Sequence, residues 1–444
     1  MKSLPTITLT LFTAVANVGL LVAGDWPRFR GPNGSGVSAD NKPTPVKWSK
    51  SENLKWKAKL PGLGVSSPIV VGECVMVTCY SGYGMDRQNP GDLKNLKRHL
   101  VCIDRKTGKT LWAKTVYAVL PEDQFGGMGL PEHGYASHTP VSDGKRVYVF
   151  FGKTGALAFD MDGKQLWQTG VGTESDPRRW GSASSPVLYK NLLIVTAPAE
   201  SQAMVALNTL TGQEVWRQAA MGFDGLRGTP TLVQVDENRT DLVVGVPFEI
   251  WGLNPKNGKL RWFCEGTESE LFNSSVVSHD GLVYGIEGPG GGSLAVRAGG
   301  KGDVTKTHVV WRGRNRNQFG TPIVHQGRVY FVAHGIINCI NATTGKQVFQ
   351  TRLQGAGRGG FRGLVLGGLG GGDYSSAVVA DGKLYYVRRS GDIFVLKADT
   401  KFELLSVNRM TDDNLEEFKA TPAISDGELF VRSSKHLYCV AATN

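Results

Sequence analysis

The side chains able to hold a small ligand sit in the links between repeated strand-like runs of this 444-residue chain, not in any compact catalytic signature. One set of links comprises His133 to His138, Arg178-Arg179-Trp180-Gly181, Asp224 to Arg227, Glu270 to Asn273, Asn315 to Phe319, Asp373-Tyr374 and Glu416 to Lys419. A second set contributes Glu200, Glu249, Glu287, His334, Arg388-Arg389 and Lys435. Together they are polar, mixed in charge, and carry rings at Trp180, Phe272, Phe319 and Tyr374. The candidate pocket is Trp180, Arg227, Asn273 and Gln318, extended by Glu200, Glu249, His334 and Arg389. This is binding chemistry, and no catalytic residue is assigned.

Other chemistries lack their motifs. The eight histidines form no HExxH, and there is no CxxC, no CxxCH and no adjacent cysteine pair. Gly355 to Gly372 holds ten glycines with Arg358 and Arg362, but no GxxxxGK[ST] joins a strand to a helix, so it reads as a surface loop. Asp236 to Asp241 lacks the glycine and distal glutamate of a calcium loop and reads as a hairpin tip. No metal site is expected. Net charge is +11, with the charges scattered and no basic run interleaved with aromatics, which excludes nucleic acid as a partner and leaves an envelope protein or an acidic polysaccharide.

The elements that position these links repeat. A Ser or Thr opens a strand-like run at Ser67, Thr139, Ser185, Thr229, Ser275, Thr321, Ser376 and Thr421, with a typical spacing near 45 residues. That period is one four-stranded propeller blade. In the second unit Thr139-Pro140-Val141 starts an inner strand, Asp143-Gly144 turns, Val147 to Phe150 and Leu157 to Asp160 follow, and Leu166-Trp167 begins the fourth strand. Thr107-Gly108, Thr211-Gly212, Asn257-Gly258 and Thr344-Gly345 precede Trp112, Trp216, Trp262 and Phe349. A large ring once per unit is a blade-packing residue. The eighth unit runs out at Asn444 without its outer strand, and Leu54 to Lys57 carries a Trp without strands before it. The amino-terminal strand is therefore expected to complete the last blade and close the ring.

The fold class expected is all-β, an eight-bladed propeller of four-stranded antiparallel blades, occupying residues 53–444 as one domain. Residues 1–24 read as a signal peptide, with Lys2, an apolar run from Ile7 to Val22, and Val22-Ala23-Gly24 before Asp25. Residues 25–52 form a strap over the ring. A monomer, periplasmic or secreted, is expected, with no membrane span after removal of the signal and no cysteine for lipidation. Cys102, Cys339 and Cys439 fill small core positions, while a Cys79–Cys102 bond across neighbouring strands stays open. Insertions at 80–98 and 117–133 lengthen the first unit and are either a lid over one end of the channel or surface decoration.

The turn Asp104 to Lys109 before Trp112, and Asn208 to Gln213 before Trp216, resemble the tryptophan-docking repeats of pyrroloquinoline-quinone (PQQ) propellers. The segment Asp25-Trp26-Pro27-Arg28-Phe29-Arg30-Gly31-Pro32 is similar to the mature start of secreted bacterial PQQ-like repeat proteins. That superfamily contains quinoprotein dehydrogenases and BamB-type assembly lipoproteins. The resemblance implies PQQ with Ca²⁺ for a catalytic member, held on a flat Trp beneath an adjacent cysteine pair that this chain lacks. It also implies that the two sets of links meet at one mouth of a central channel. The expectation is a non-catalytic binding or scaffold propeller in the cell envelope; the alternatives are a PQQ-dependent oxidoreductase and a BamB-like assembly factor.

Overall fold

A computed structural model describes residues 24–40, 42–127, 129–288, 291–317, 319–355, 372–413 and 415–442. Residues 1–23 of the segment 1–24 read from sequence as a signal peptide, Gln318, and residues 356–371 of the glycine-rich segment lie outside the described residues. Eight sheets are arranged as propeller blades, seven of them four-stranded. Blade 1 takes Ile69–Val71, Cys74–Ser81, Lys97–Asp104 and Thr110–Tyr117 from the inner to the outer edge. Blade 8 takes Ala423–Ser425, Glu428–Arg432 and His436–Val440 from the end of the chain, and its outer strand is Leu54–Lys59. Trp56 faces Cys439 across that antiparallel pair, so the ring closes as expected.

The eight Ser and Thr residues are explained by a belt of hydrogen bonds around the channel. The Ser67 amide donates to the Thr139 hydroxyl, Thr139 to Ser185, Ser185 to Thr229 and Thr229 to Ser275, at 2.9 to 3.0 Å. Ser275 then donates to Thr321, Thr321 to Ser376, Ser376 to Thr421, and Thr421 back to Ser67, at 2.9 to 3.1 Å. Each inner strand begins with an amide that no strand partner can reach. A hydroxyl on the next blade satisfies it, which is why only Ser or Thr stands there.

The Thr-Gly and Trp pattern is the outer counterpart of this belt. The indole N–H of Trp56, Trp112, Trp167, Trp216 and Trp311 donates to the carbonyl of Arg105, Met161, Thr209, Pro255 and Ala342, each in the next blade. Each ring lies flat against the turn glycine of that blade. A Cβ on Gly108 or Gly212 would meet the Trp56 or Trp167 ring at 2.7 Å, and both glycines have φ of +72°. Blade 4 departs from the rule. Trp262 donates to Asp241 of its own sheet, and Gly302–Asp303 adds a fifth, parallel strand over its edge.

The strap lies inside the end of the channel formed by the first hairpins of the blades. Trp26 bridges Val70, the Pro27 carbonyl accepts from Ser142, and Val37 bridges Val379. Cys79 and Cys102 do not face each other. Cys79 pairs with His99 and packs toward blade 8, whereas Cys102 pairs with Met76 and packs toward blade 2 on the other side of the sheet. All six cysteines are free thiols, and Cys102, Cys339 and Cys439 are core residues as expected.

Candidate functional site

The links that enter the inner strands and those between second and third strands emerge at the channel end opposite the strap. Over this mouth lies the second insertion of blade 1. Its short helix Leu130–His133 packs with Tyr80, Tyr83, Leu96, Tyr135 and Ala136 as a small core of its own. Tyr80 and Tyr135 meet edge to face with centroids 5.5 Å apart. Of the two readings of this insertion, the lid is the one the geometry bears out.

The helix joins opposite sides of the ring. On one side His133 Nε2 is bonded to the Trp180 carbonyl. Gly129 lies so close to Trp180 that a Cβ there would be 2.5 Å from its Cα. On the other side Glu132 accepts from Arg389 at 2.9 Å and from Lys419 at 3.3 Å, while the Lys419 ammonium also donates to the Glu132 carbonyl at 2.7 Å. Arg389 and Lys419 share a second carboxylate, Glu417. Lys419 stands over the Tyr374 ring at 5.8 Å, and Tyr374 stacks on Phe319 with centroids 4.5 Å apart.

Around Trp180 the loop is held by one buried carboxylate. Asp176 accepts the amides of Arg178 and Trp180 and a 2.8 Å bond from Arg227. Burial lowers the Arg227 pKa, and the Asp176 charge opposes that change. Arg178 stands over the Trp180 ring with its guanidinium carbon 5.9 Å from the centroid.

Two further carboxyls are buried below the loops. Glu200, in the short helix Pro198–Ser201, accepts from the Ser182 hydroxyl, and burial raises it to about 7 against that bond. Glu287 accepts from the Ser274 amide and hydroxyl through Oε2 while Oε1 has no partner, and burial raises it to about 8. His138 lies at 4.6 Å from the Phe150 ring, and burial drives it down to about 3.

Of the residues named from sequence, Trp180 and Arg227 come together through Asp176, and Arg389 joins the latch under the lid. Asn273 is half-buried in the link entering blade 5. Glu200 is buried beneath Ser182. Glu249 turns to its own sheet and accepts from the Trp251 indole. His334 is exposed at a turn with φ of +52°. Phe272 does not line the mouth: it is fully buried among the core residues of blades 4 and 5. Asp176 and Glu132 were missed, because neither belongs to the repeat and each gains its role from a partner far along the chain. Among the described residues no three His, Cys, Asp or Glu side chains gather to hold a metal ion, and no helix is long and apolar enough to cross a membrane.

The architecture is shared with solved proteins. BamB from Moraxella catarrhalis superimposes with a TM-score of 0.58 at 10% identity, over 88% of this chain and 98% of that one. A europium-containing methanol dehydrogenase gives 0.62 at 11% identity, over 95% and 98%. The computationally designed protein Ika8 gives 0.54 at 12%, over 86% and 98%. At such identities the likeness is one of fold. No curated protein sequence matches the chain. The family model described as outer membrane protein assembly factor BamB matches residues 93–225 and 158–354, more than half of the chain, which therefore belongs to this family of PQQ-type repeat propellers.

Proposed function

We propose that this protein is an exported partner-binding propeller of the cell envelope, acting through the outer surface of the lidded mouth. The observation that carries the reading is a contrast on one face. Three cations at the mouth are committed to carboxylates inside it, Arg227 to Asp176, and Arg389 and Lys419 to Glu132 and Glu417. The outer side of the same links presents Met221 at 90%, Leu415 at 79% and Phe248 at 53% exposure. Large apolar side chains standing in water on a face built of loops suit a protein partner, and methionine adapts well to such contacts. The match to a family model described as an outer membrane assembly factor favours an envelope protein as that partner.

The quinone-dependent alternative suits this mouth less well. A planar, anionic quinone would need an open indole face and free cations. Trp180 is wedged between Gly129 and Arg178, and Arg227 beside it is paired with Asp176. These contacts support a reading without that cofactor.

The test is cross-linked capture from envelope extracts by the native protein and by the double variant Met221→Glu, Leu415→Glu. Both changes are on exposed links and leave the fold intact. The same band lost with the double variant supports the reading. An unchanged capture profile, or calorimetric binding of PQQ with Ca²⁺ at micromolar concentration, overturns it.

A further inference from the structure

Each blade ends at the rim of the ring in an outer strand, and the eight rim edges are not treated alike. In blade 4 the chain's own Gly302–Asp303 pairs beyond Leu260–Glu265. In blade 7 the strap residues Val46 and Trp48 bond to Ser406 and Asn408 of the outer strand Leu404–Asn408. In blade 8 Leu54–Lys59 exposes Lys55, Lys57 and Lys59 alternately, a charged row that discourages further pairing. The outer strands of blades 2, 3, 5 and 6 are only five or six residues long. Each carries one exposed large apolar side chain, Leu166, Val215, Val310 and Val348 in turn.

Blade 1 is left open. Its outer strand Thr110–Tyr117 is eight residues long, has no Gly, Pro or acidic residue, and among the described residues no strand lies beyond it. The Ala118 amide donates inward to the Leu96 carbonyl. Alternation along the strand therefore turns the N–H and C=O groups of Ala113, Thr115 and Tyr117 outward. Leu111 is 52% and Tyr117 68% exposed, and Val119 and Leu120 continue the exposed apolar run just past the strand. The charges beside this edge are lysines. Lys109 precedes the strand, Lys114 lies within it, and Lys97 stands opposite Tyr117 with its ammonium 5.6 Å from that ring's centre. Arg105 and Lys106 of the preceding turn are answered by Glu428 and Glu73, whereas among the described residues no carboxylate pairs with Lys97, Lys109 or Lys114.

We propose that the outer edge of blade 1 is a strand-addition site for an extended acidic segment of a partner protein. The outward N–H and C=O groups supply main-chain hydrogen bonds, Leu111 and Tyr117 supply apolar contact to alternate side chains, and the three lysines select negative charge. The covered edge of blade 4 shows that an extended segment fits beyond an outer strand of this ring. A second copy of the chain suits the edge less well, because antiparallel self-pairing would bring the lysines of the two copies together. No residue of this edge belongs to the mouth surface, so either reading can fail without the other.

The test is fluorescence anisotropy with a labelled peptide of alternating aspartate and valine, matched in length to the strand. A lysine–valine counterpart and an aspartate–valine peptide with a central proline serve as comparisons. Saturable binding of the first peptide alone is expected. Ala113→Pro removes one outward amide and leaves the inward ladder in place, so it is expected to weaken binding about tenfold, the loss of one main-chain hydrogen bond. Lys109→Glu with Lys114→Glu is expected to transfer the preference to the lysine–valine peptide, and this variant decides the case should Ala113→Pro fail to fold. Lys59→Glu in blade 8, and Met221→Glu with Leu415→Glu at the mouth, are expected to bind as the native chain does. No saturable binding, equal binding of the proline-containing peptide, or an unchanged preference after charge reversal would each overturn the proposal. Sedimentation showing a dimer that Ala113→Pro abolishes would overturn it too, by giving the edge to a second copy.

Discussion

The amide of Thr421 donates to the hydroxyl of Ser67 across 354 residues of chain, at 3.1 Å, and this single bond completes the hydrogen-bonded belt around the channel. Replacing Ser67 by Ala leaves a buried amide without an acceptor. The expected loss is about 1 to 3 kcal/mol, the desolvation cost of one orphaned donor. Ser67→Thr keeps the oxygen, and four of the eight belt positions already carry Thr, so it is expected to stay within about 1 kcal/mol of the native chain. Equilibrium denaturation of both variants checks this. Equal losses would show that the belt contributes by shape and not by its hydroxyls.

Closure at the outer edge is a separate contribution. Leu54–Lys59 supplies the last strand of blade 8, and Trp56 packs against Gly108 and donates to Arg105 in blade 1. Trp56→Ala removes a large buried ring at the joint between the chain ends, for an expected loss of roughly 3 to 5 kcal/mol. Deleting residues 53–60 exposes the edge of His436–Val440 and is expected to lower the thermal midpoint by several degrees and to promote association through the open edge. Calorimetry with light scattering reads both effects.

Much of this was legible in the sequence because the propeller solves the same local problem at every blade. The hydroxyl at each strand start and the glycine under each ring are demanded by contacts to the neighbouring unit, so their spacing reports the architecture directly. Phe272 shows where that reasoning fails. It stands in a link that repeats at the mouth, yet its ring fills the space over Gly245, where a Cβ would be 2.4 Å from the ring. Periodicity places a link at one end of the channel but does not say which way a side chain in it turns. The latch was equally hidden, since Glu132 meets Arg389 across 257 residues and lies in an insertion with no counterpart in other blades.

That latch predicts how the lid responds to mutation. Glu132→Ala leaves Arg389 and Lys419 to share Glu417 alone, while the strands beneath are untouched. Global stability is expected to fall by no more than about 1 to 2 kcal/mol, since Glu417 still neutralises the pair. Local opening is expected to rise much more visibly. Amide exchange in residues 129–134 should quicken by about tenfold for each 1.4 kcal/mol of lost latch energy, with the inner strands unchanged. Uniform acceleration throughout the ring would instead mean that Glu132 supports the whole fold.

The buried titratable groups give stability two opposed pH limbs. Glu287 is raised from 4.5 to about 8 and Glu200 to about 7, chiefly by burial. The folded state therefore keeps protons that the unfolded chain releases above about pH 4.5. Their contribution is fully present below that pH, falls as pH rises, and levels off above about pH 8. For Glu287 the loss is at most about 4 to 5 kcal/mol, since a tenfold change in proton affinity between folded and unfolded chain is worth about 1.4 kcal/mol. His138 works in the other direction. It is held neutral down to about pH 3 by burial, whereas the unfolded chain takes up its proton below about pH 6.5, so its contribution is present above pH 6.5 and lost as pH falls toward 3. Glu287→Gln keeps an acceptor for Ser274 and removes the titration, so it is expected to flatten the alkaline limb while leaving the acid limb in place. Denaturation midpoints of both chains from pH 4 to 9 test the assignment. An alkaline limb of unchanged steepness in the variant would move the titration to Glu200 or to a group outside this pair.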